Sequence, residues 1–169
     1  MFYDYLETGL IGTLTLFGTE EGLVRLDFEK ARTPLAIQSG WQRKAAVFKE
    51  VKAQLSAYFK GELKRFDLPL APKGTEFQQR VWRALRNIPY GELVSYGDIA
   101  LAVGNPKAVR AVGAANGKNP IPIIVPCHRV IGSDGSLTGF GGGLDVKQRL
   151  IDLERGALPK RPVQQKMMF

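Results

Sequence analysis

The sequence has very few of the side chains that bind metals or form disulfides: it contains one cysteine and one histidine among 169 residues. A single cysteine excludes a disulfide within the chain. A structural zinc site normally needs about four Cys or His ligands, so it is excluded as well, whereas a mononuclear carboxylate site is not. We predict no bound metal and no other cofactor.

Long apolar runs are also missing. No stretch approaches the roughly 20 apolar residues that a membrane-spanning helix requires. The start at Met1 lacks the basic region and apolar run of a secretion signal. We therefore expect no membrane insertion and a cytoplasmic location.

Basic side chains outnumber acidic ones by 24 to 16, giving a net charge of +8. This excess favours a polyanionic partner such as nucleic acid or an anionic membrane surface. Hydrophobic residues make up 44% of the chain and charged residues 24%, which is typical of a folded globular protein. The length allows one domain, or two small ones that share an interface.

The first third is typical of antiparallel strands. Runs of aromatic and aliphatic residues at 2–6, 10–17 and 23–28 are separated by glycine-containing turn signals. This pattern predicts a β-meander.

A helix is predicted after the meander. Four apolar residues recur there at helical spacing: Val47, Val51, Leu55 and Tyr58. Gly61 stands where this helix would end, and the helix should cover one face of the sheet. Alternating apolar residues at 66–70 predict a further strand before prolines break the pattern. We predict domains at residues 1–73 and 74–157, and a mobile tail at 158–169.

The second half is predicted to be helical. Two capping boxes each open a helix: Thr75 with Gln78, and Ser95 with Asp98. Asn105, a good N-cap that precedes a proline, opens a third helix over residues 106–116, with Gly117 at its C-cap. The second and third of these helices form the outline of a helix-turn-helix.

The third helix carries little side-chain bulk. Its small residues allow close approach by a neighbour: Ala108, Ala111, Gly113, Ala114 and Ala115. One interpretation is tight packing against another helix. The other is a helix that lies close to a DNA groove with Arg110 as a probe, and both can hold on different faces.

Residues 119–125 are too apolar to be exposed, and their two prolines exclude a regular helix or a central strand. They predict a buried connector. It leads to Pro-Cys-His-Arg at 126–129, then to a glycine-rich loop at 132–143 and a last helix over 144–155.

Cys127 is the candidate nucleophile, although a lone cysteine is most often a small buried hydrophobe. A neighbouring imidazole or positive charge lowers a thiol pKa toward neutrality, and His128 and Arg129 follow directly. Because adjacent residues seldom form a direct hydrogen bond, His128 would act through a bridging water. Four acids could orient the imidazole, and spacing does not choose among them: Asp134, Asp145, Asp152 and Glu154.

The run Asn-Pro-Ile-Pro-Ile-Ile-Val-Pro-Cys-His-Arg-Val at 119–130 resembles the active-site signature of the O6-alkylguanine-DNA alkyltransferases. The resemblance covers residues 77–156 and includes four further motifs: Ser95-Tyr96-Gly97, Arg110-Ala111-Val112-Gly113, Thr138-Gly139-Phe140-Gly141-Gly142 and Leu153-Glu154. It implies an α+β fold, with an RNase H-like N-terminal sheet and covering helix and a winged-helix-like C-terminal helix-turn-helix domain.

The resemblance also implies the chemistry. A monomer would transfer an alkyl group from O6 of guanine in double-stranded DNA to Cys127, once per molecule. His128 would take the thiol proton through water while Glu154 orients the imidazole. Tyr96 would hydrogen-bond the extruded base and help to protonate the leaving guanine. Asn119 would hold the helix-turn-helix against the active-site segment.

Contacts with substrate or DNA are implied for seven residues: Ser95, Arg110, Ala111, Gly113, Arg129, Val130 and Gly141. Because O6 cannot be reached inside a duplex, the damaged nucleotide would be extruded from the minor groove, with Arg110 filling the gap. The carbonyls of Cys127 and Val130 would accept from the guanine amino group, and a backbone donor near Gly141 would meet O6.

The sequence departs from the pattern in its glycine-rich loop, where Phe140 replaces a Tyr of many relatives and Gly141 a Ser of some. Gly141 should widen the pocket, which predicts tolerance of bulkier adducts. Repair of O4-alkylthymine and cooperative DNA binding stay open. The rival functions are a noncatalytic sensor of alkylated DNA, which would lack the cysteine, a dimeric helix-turn-helix regulator, and a Cys-His hydrolase with multiple turnover.

Overall fold

In the computed structural model, which describes residues 1–158, the N-terminal third forms a four-stranded sheet. The strands are β1 (Phe2–Glu7), β2 (Thr13–Thr19), β3 (Gly22–Asp27) and β4 (Gln42–Arg43). Their order is β3-β2-β1-β4, and the first three strands pair antiparallel, which confirms the predicted meander. Strand β4 pairs parallel with β1. It escaped prediction because two residues are too few to show an alternating pattern.

The strand predicted at residues 66–70 is wrong. Only Leu70 forms a bridge, to Leu23 at the free edge of β3. The Leu23 amide donates to the Pro69 carbonyl (3.0 Å), and the Ala71 amide donates to the Leu23 carbonyl (2.7 Å). Because proline has no N–H, this segment cannot form a regular ladder.

The predicted helix over the sheet is α1 (Lys49–Phe59), preceded by a 3-10 turn at Ala45–Phe48. Because of this tighter turn, Phe48 points into the core and Val47 is 39% exposed, so the prediction for Val47 is wrong. Lys60 is the C-cap of this helix, and Gly61, with φ +77°, follows it, so the glycine lies one position after the C-cap and not at the C-cap as predicted. The Gly61 amide donates to the Tyr58 carbonyl at 2.9 Å.

The second half is helical, as predicted. Its elements are α2 (Glu76–Leu85), β5 (Val94–Ser95), α3 (Tyr96–Ala102), α4 (Val109–Gly117), β6 (Val130–Ile131) and α5 (Leu144–Glu154). Both predicted capping boxes are present, at the starts of α2 and α3. Strands β5 and β6 form a parallel pair.

Helix α4 begins three residues later than predicted, and Asn105 does not cap it. The Asn105 amide donates to the Ala100 carbonyl (3.0 Å), so this residue completes the end of α3. Gly117 is the last helical residue and Lys118 is the C-cap, one position later than predicted. Helices α3 and α4 pack together, which confirms the helix-turn-helix outline.

One continuous cluster of buried hydrophobic side chains extends through both halves of the chain. The Trp82 indole donates to the Ala115 carbonyl (2.9 Å) and joins α2 to α4. The Leu26 amide on β3 donates to the Pro120 carbonyl (2.9 Å), which joins the sheet to the connector. The division at residue 73 stays a prediction. The predicted mobile tail lies, apart from Leu158, outside the described residues.

Among the elements of residues 1–158, no helix is both long and apolar enough to cross a membrane.

Candidate active site

The connector is buried from Ile121 to Val125, as predicted, and it is fixed by one side chain. The Asn119 amide donates to the Val125 carbonyl (2.8 Å) and its oxygen accepts from the Ile121 amide (3.0 Å). Within the turn from Ile121 to Val125, Ile123 has φ +75°. This left-handed conformation costs a β-branched residue on the order of 1–3 kcal/mol. The tightly held turn therefore stores strain four residues before Cys127.

Glu154, at the C-terminal end of α5, is the acid that binds the histidine. Its Oε2 lies 2.6 Å from His128 Nε2, whereas Asp134 and Asp152 bind their sequence neighbours Ser136 and Gln148. Spacing in the sequence left four acids that could orient the His128 imidazole, and the fold selects Glu154 among them.

The Glu154 carboxylate accepts four further hydrogen bonds. Arg129 donates twice, from Nε to Oε1 (2.8 Å) and from Nη2 to Oε2 (3.0 Å). The Tyr58 hydroxyl donates to Oε2 (2.6 Å) and the Gly91 amide to Oε1 (3.2 Å). Tyr58 comes from α1, so this one carboxylate connects the N-terminal half with the active-site segment.

The hydrogen bonds around Glu154 determine the charge states of Glu154 and His128. Burial raises the pKa of Glu154, but hydrogen bonds from His128 and Arg129 outweigh it and hold the pKa well below its ordinary value. Burial lowers the pKa of His128 despite the nearby carboxylate, so the imidazole is neutral at pH 7. Nε2 then carries the proton that Glu154 accepts, and Nδ1 is a free acceptor. Nδ1 is buried and has no hydrogen-bond partner within residues 1–158.

Cys127 is buried, in a 3-10 turn at Cys127–Arg129. Burial raises the pKa of its thiol to about 11, and an Asn119 hydrogen bond and the Lys147 charge offset only part of this. The prediction of a thiol pKa lowered toward neutrality is therefore wrong. His128 and Arg129 were expected to lower the thiol pKa. They do not, because both are bound to Glu154.

The structure also contradicts the contact with substrate or DNA that the resemblance implied for Arg129. Its side chain is buried, and besides its two bonds to Glu154 it donates from Nη1 to the Ile88 carbonyl (2.6 Å). The guanidinium also lies over the ring of Tyr90. A cation held in this way inside the protein cannot reach a phosphate, so its role is to neutralise Glu154.

Lys147 is a buried residue that sequence reasoning missed. Its ammonium donates to the carbonyls of Val130 (2.7 Å) and Thr138 (3.1 Å) and ties α5 to β6 and the glycine-rich loop. Burial lowers its pKa. The signal was present, because Lys147 and Glu154 are seven residues apart on the helix face that also buries Leu150.

A cavity of about 600 Å³ opens beside Cys127. From the second half of the chain it is lined by predicted site residues and by loop residues: Tyr96, Gly113, Asn119, Cys127, Gly139, Phe140 and Gly141. The Tyr96 hydroxyl hydrogen-bonds Thr138 Oγ1 at 2.5 Å. Of the other predicted residues, Ser95 caps α3, Val130 is buried, and Arg110 and Ala111 are exposed on α4.

The opposite wall comes from the N-terminal half, which sequence reasoning did not predict. Its residues follow β3 or lie in that strand: Arg25, Leu26, Asp27, Phe28, Ala31, Arg32 and Thr33. No motif marks them, because they reach the pocket only through the packing of the two halves. Within residues 1–158, no group of three or more His, Cys, Asp or Glu side chains could hold a metal ion.

Comparison with known proteins gives a consistent match over both halves. Residues 76–156 match the family model for the DNA-binding domain of 6-O-methylguanine DNA methyltransferase, and residues 1–72 match the model for its ribonuclease-like domain. The latter description agrees with the predicted N-terminal fold.

Individual relatives match over nearly their whole length. The methylated-DNA–protein-cysteine methyltransferase of Methanosarcina barkeri is 52% identical over 94% of this chain and 99% of its own. That of Haemophilus influenzae is 48% identical over 92% and 87%. The crystal structure of Mycobacterium tuberculosis OGT in complex with DNA has a TM-score of 0.86 at 48% identity, covering 95% of this chain and 96% of that chain.

Replacing Glu154 with Gln should destabilise the protein by about 3–5 kcal/mol at pH 7, because the buried Arg129 loses its counter-charge. The lowered Glu154 pKa contributes stability above about pH 4.5, its ordinary value, and this stability is lost as the pH falls through the lowered value. Urea unfolding should therefore show a difference between variant and wild type that shrinks in acid. Glu20→Gln, at an exposed site, is the control, and equal effects of both changes would refute the prediction.

Cys127 should react slowly with iodoacetamide at neutral pH. Because only the thiolate reacts and the thiol pKa is about 11, the rate should rise roughly tenfold per pH unit up to about pH 10. The single cysteine makes labelling site-specific. The same chain unfolded in urea should level off near pH 9, the ordinary value. A plateau of the folded protein between pH 7 and 8 would contradict the raised pKa.

Proposed function

This chain belongs to the 6-O-methylguanine DNA methyltransferase family, and on that basis we propose how its residues repair alkylated DNA. The protein transfers an alkyl group from O6 of guanine in duplex DNA to Sγ of Cys127. The observation that carries this proposal is that Cys127 lines an open cavity and directly precedes His128, which is bonded to the buried Glu154. The cavity takes the base, and the pair takes the thiol proton.

The reaction forms an S–C bond and breaks the O6–C bond of the alkylated base. The Cys127 sulfur supplies the electron pair of the new bond. The thiol proton passes through a water to Nδ1 of His128, a buried acceptor that has no hydrogen-bond partner within residues 1–158. Glu154 stabilises the imidazolium that results. The bond electrons leave with guanine, and the Tyr96 hydroxyl at the pocket wall helps to protonate it.

The raised thiol pKa fits a cysteine that stays protonated in the free protein and gives its proton to His128 as it attacks the alkyl group. A permanently ionised cysteine would react with any soluble electrophile, whereas a buried thiol is inert until a base accepts its proton. The product is a thioether, which is a poor leaving group, so water does not remove the alkyl group from the sulfur. Each molecule is therefore consumed by one reaction.

Helix α4 is the proposed DNA-contacting element, and both interpretations of its small residues apply, on opposite faces. Val112 and Ala115 are buried against the protein, with Ala115 bonded to Trp82. Arg110 and Ala111 are exposed. The thin outer face enters the minor groove, and Arg110 fills the gap in the stack when the nucleotide turns into the pocket.

The same cavity supports acceptance of alkyl groups larger than methyl. A Cβ placed on Gly139 or Gly141 would meet no atom within 4 Å, so the loop leaves open space at the pocket mouth. We propose that O6-benzylguanine is also a substrate. O4-alkylthymine, a smaller base, is tested with the same assay.

The deciding experiment is intact-protein mass spectrometry after incubation with duplex DNA that carries one O6-methylguanine. The wild type should gain one methyl group on Cys127 and saturate at one per molecule, and Cys127→Ala should gain none. No gain with retained lesion binding would indicate a noncatalytic sensor. Repeated turnover would indicate a hydrolase, and binding without lesion preference would indicate a helix-turn-helix regulator.

Replacing Arg110 with Ala should slow transfer from duplex DNA about tenfold, because the extruded state loses the side chain that fills the stack. Transfer from the free base O6-benzylguanine should keep its rate, since no stack has to be filled. Arg65→Ala removes the same charge from an exposed site in the N-terminal half and is the control. Equal losses on both substrates would argue against the proposed role of Arg110.

A further inference from the structure

An aromatic pair joins the two halves of the chain at the wall of the pocket. Phe28, directly after β3, packs against Phe140 of the glycine-rich loop, with ring centroids 5.4 Å apart at an interplanar angle of 52°. Both rings line the cavity that contains Cys127. Phe28 is only 6% exposed, so most of its surface is in contact with the protein.

The same ring also limits what can stand at Gly142. A Cβ added there would lie 2.7 to 3.1 Å from three atoms of the Phe28 ring, closer than carbon atoms normally approach. Gly142 is not among the glycines with positive φ. The requirement for glycine therefore comes from the Phe28 ring and not from the backbone, which means that the loop rests directly on this side chain.

Phe28 is itself held in a fixed position relative to Cys127. The preceding Asp27 carboxylate accepts from Arg25 Nε (2.6 Å) and from the Leu35 amide (2.8 Å), which fixes the chain on both sides of Phe28. The Leu26 amide donates to Pro120 in the connector that leads to Cys127. The backbone two residues before Phe28 is thus bonded to the segment that leads to Cys127, and the Phe28 ring contacts the loop.

We propose that Phe28 is a specificity-determining residue: its ring sets the distance between the glycine-rich loop and Cys127, and so the size of the alkyl group that the pocket accepts. The inference rests on the proposed alkyl transfer. Removing the ring lets the loop move away from Cys127 and favours bulky groups. Adding a methyl group at Gly142 pushes the loop away from Phe28 and favours small ones.

The test compares transfer rates from duplex DNA carrying O6-benzylguanine and O6-methylguanine, measured by protein mass. Phe28→Ala removes a ring of six carbons and should raise the benzyl-to-methyl rate ratio about tenfold or more, since one methylene in an apolar pocket is already worth roughly tenfold. Gly142→Ala should lower the ratio by a similar factor. The double variant should return toward the wild-type ratio, since the added methyl group then occupies the space of the missing ring.

Phe48→Ala is the matched control, because Phe48 is also a buried ring of the N-terminal half but packs against Gly18 of β2 instead of the loop. It should change both rates alike and leave the ratio within about twofold, as any general loss of stability would. An unchanged ratio in Gly142→Ala, or equal ratios in Phe28→Ala and Phe48→Ala, would overturn the inference. Absence of any transfer by the wild type would overturn the proposed function instead.

Discussion

The buried carboxylate of Glu154 is the group on which the rest of the structure depends. It accepts hydrogen bonds from α1 through Tyr58, from the turn at Gly91, and from His128 and Arg129 beside the nucleophile. A buried charge is tolerated only with such complete pairing. The same contacts that make the carboxylate stable inside the protein also fix the orientation and tautomer of the histidine, so stability and chemistry cannot be separated here.

The N-terminal half contributes directly to this centre although it contains none of the residues that resemble an active-site motif. Tyr58 reaches Glu154, and the residues that follow β3 form one wall of the cavity. The halves share one continuous hydrophobic cluster. Loss of the N-terminal half would therefore remove both a wall of the pocket and the Tyr58 hydrogen bond to Glu154.

Local signals in the sequence determined most of the helices and strands. The capping boxes at Thr75 and Ser95 predicted two helix starts correctly, and the apolar connector with its prolines predicted the buried approach to Cys127. These succeed because a cap or a proline acts within a few residues of itself. Asn105 misled because the chain first forms a turn, in which the Ala108 amide donates to the Asn105 carbonyl, and α4 begins only at Val109.

The features of the site that only the tertiary structure decided depend on residues that are far apart in the chain. Spacing could not choose Glu154 among four acids, and it could not show that Arg129 is bound inside the protein or that Phe28 supports the loop. The Cys127 pKa was predicted in the wrong direction for the same reason. Burial, partner choice and desolvation depend on which distant segments pack together, and no single stretch of sequence carries that information.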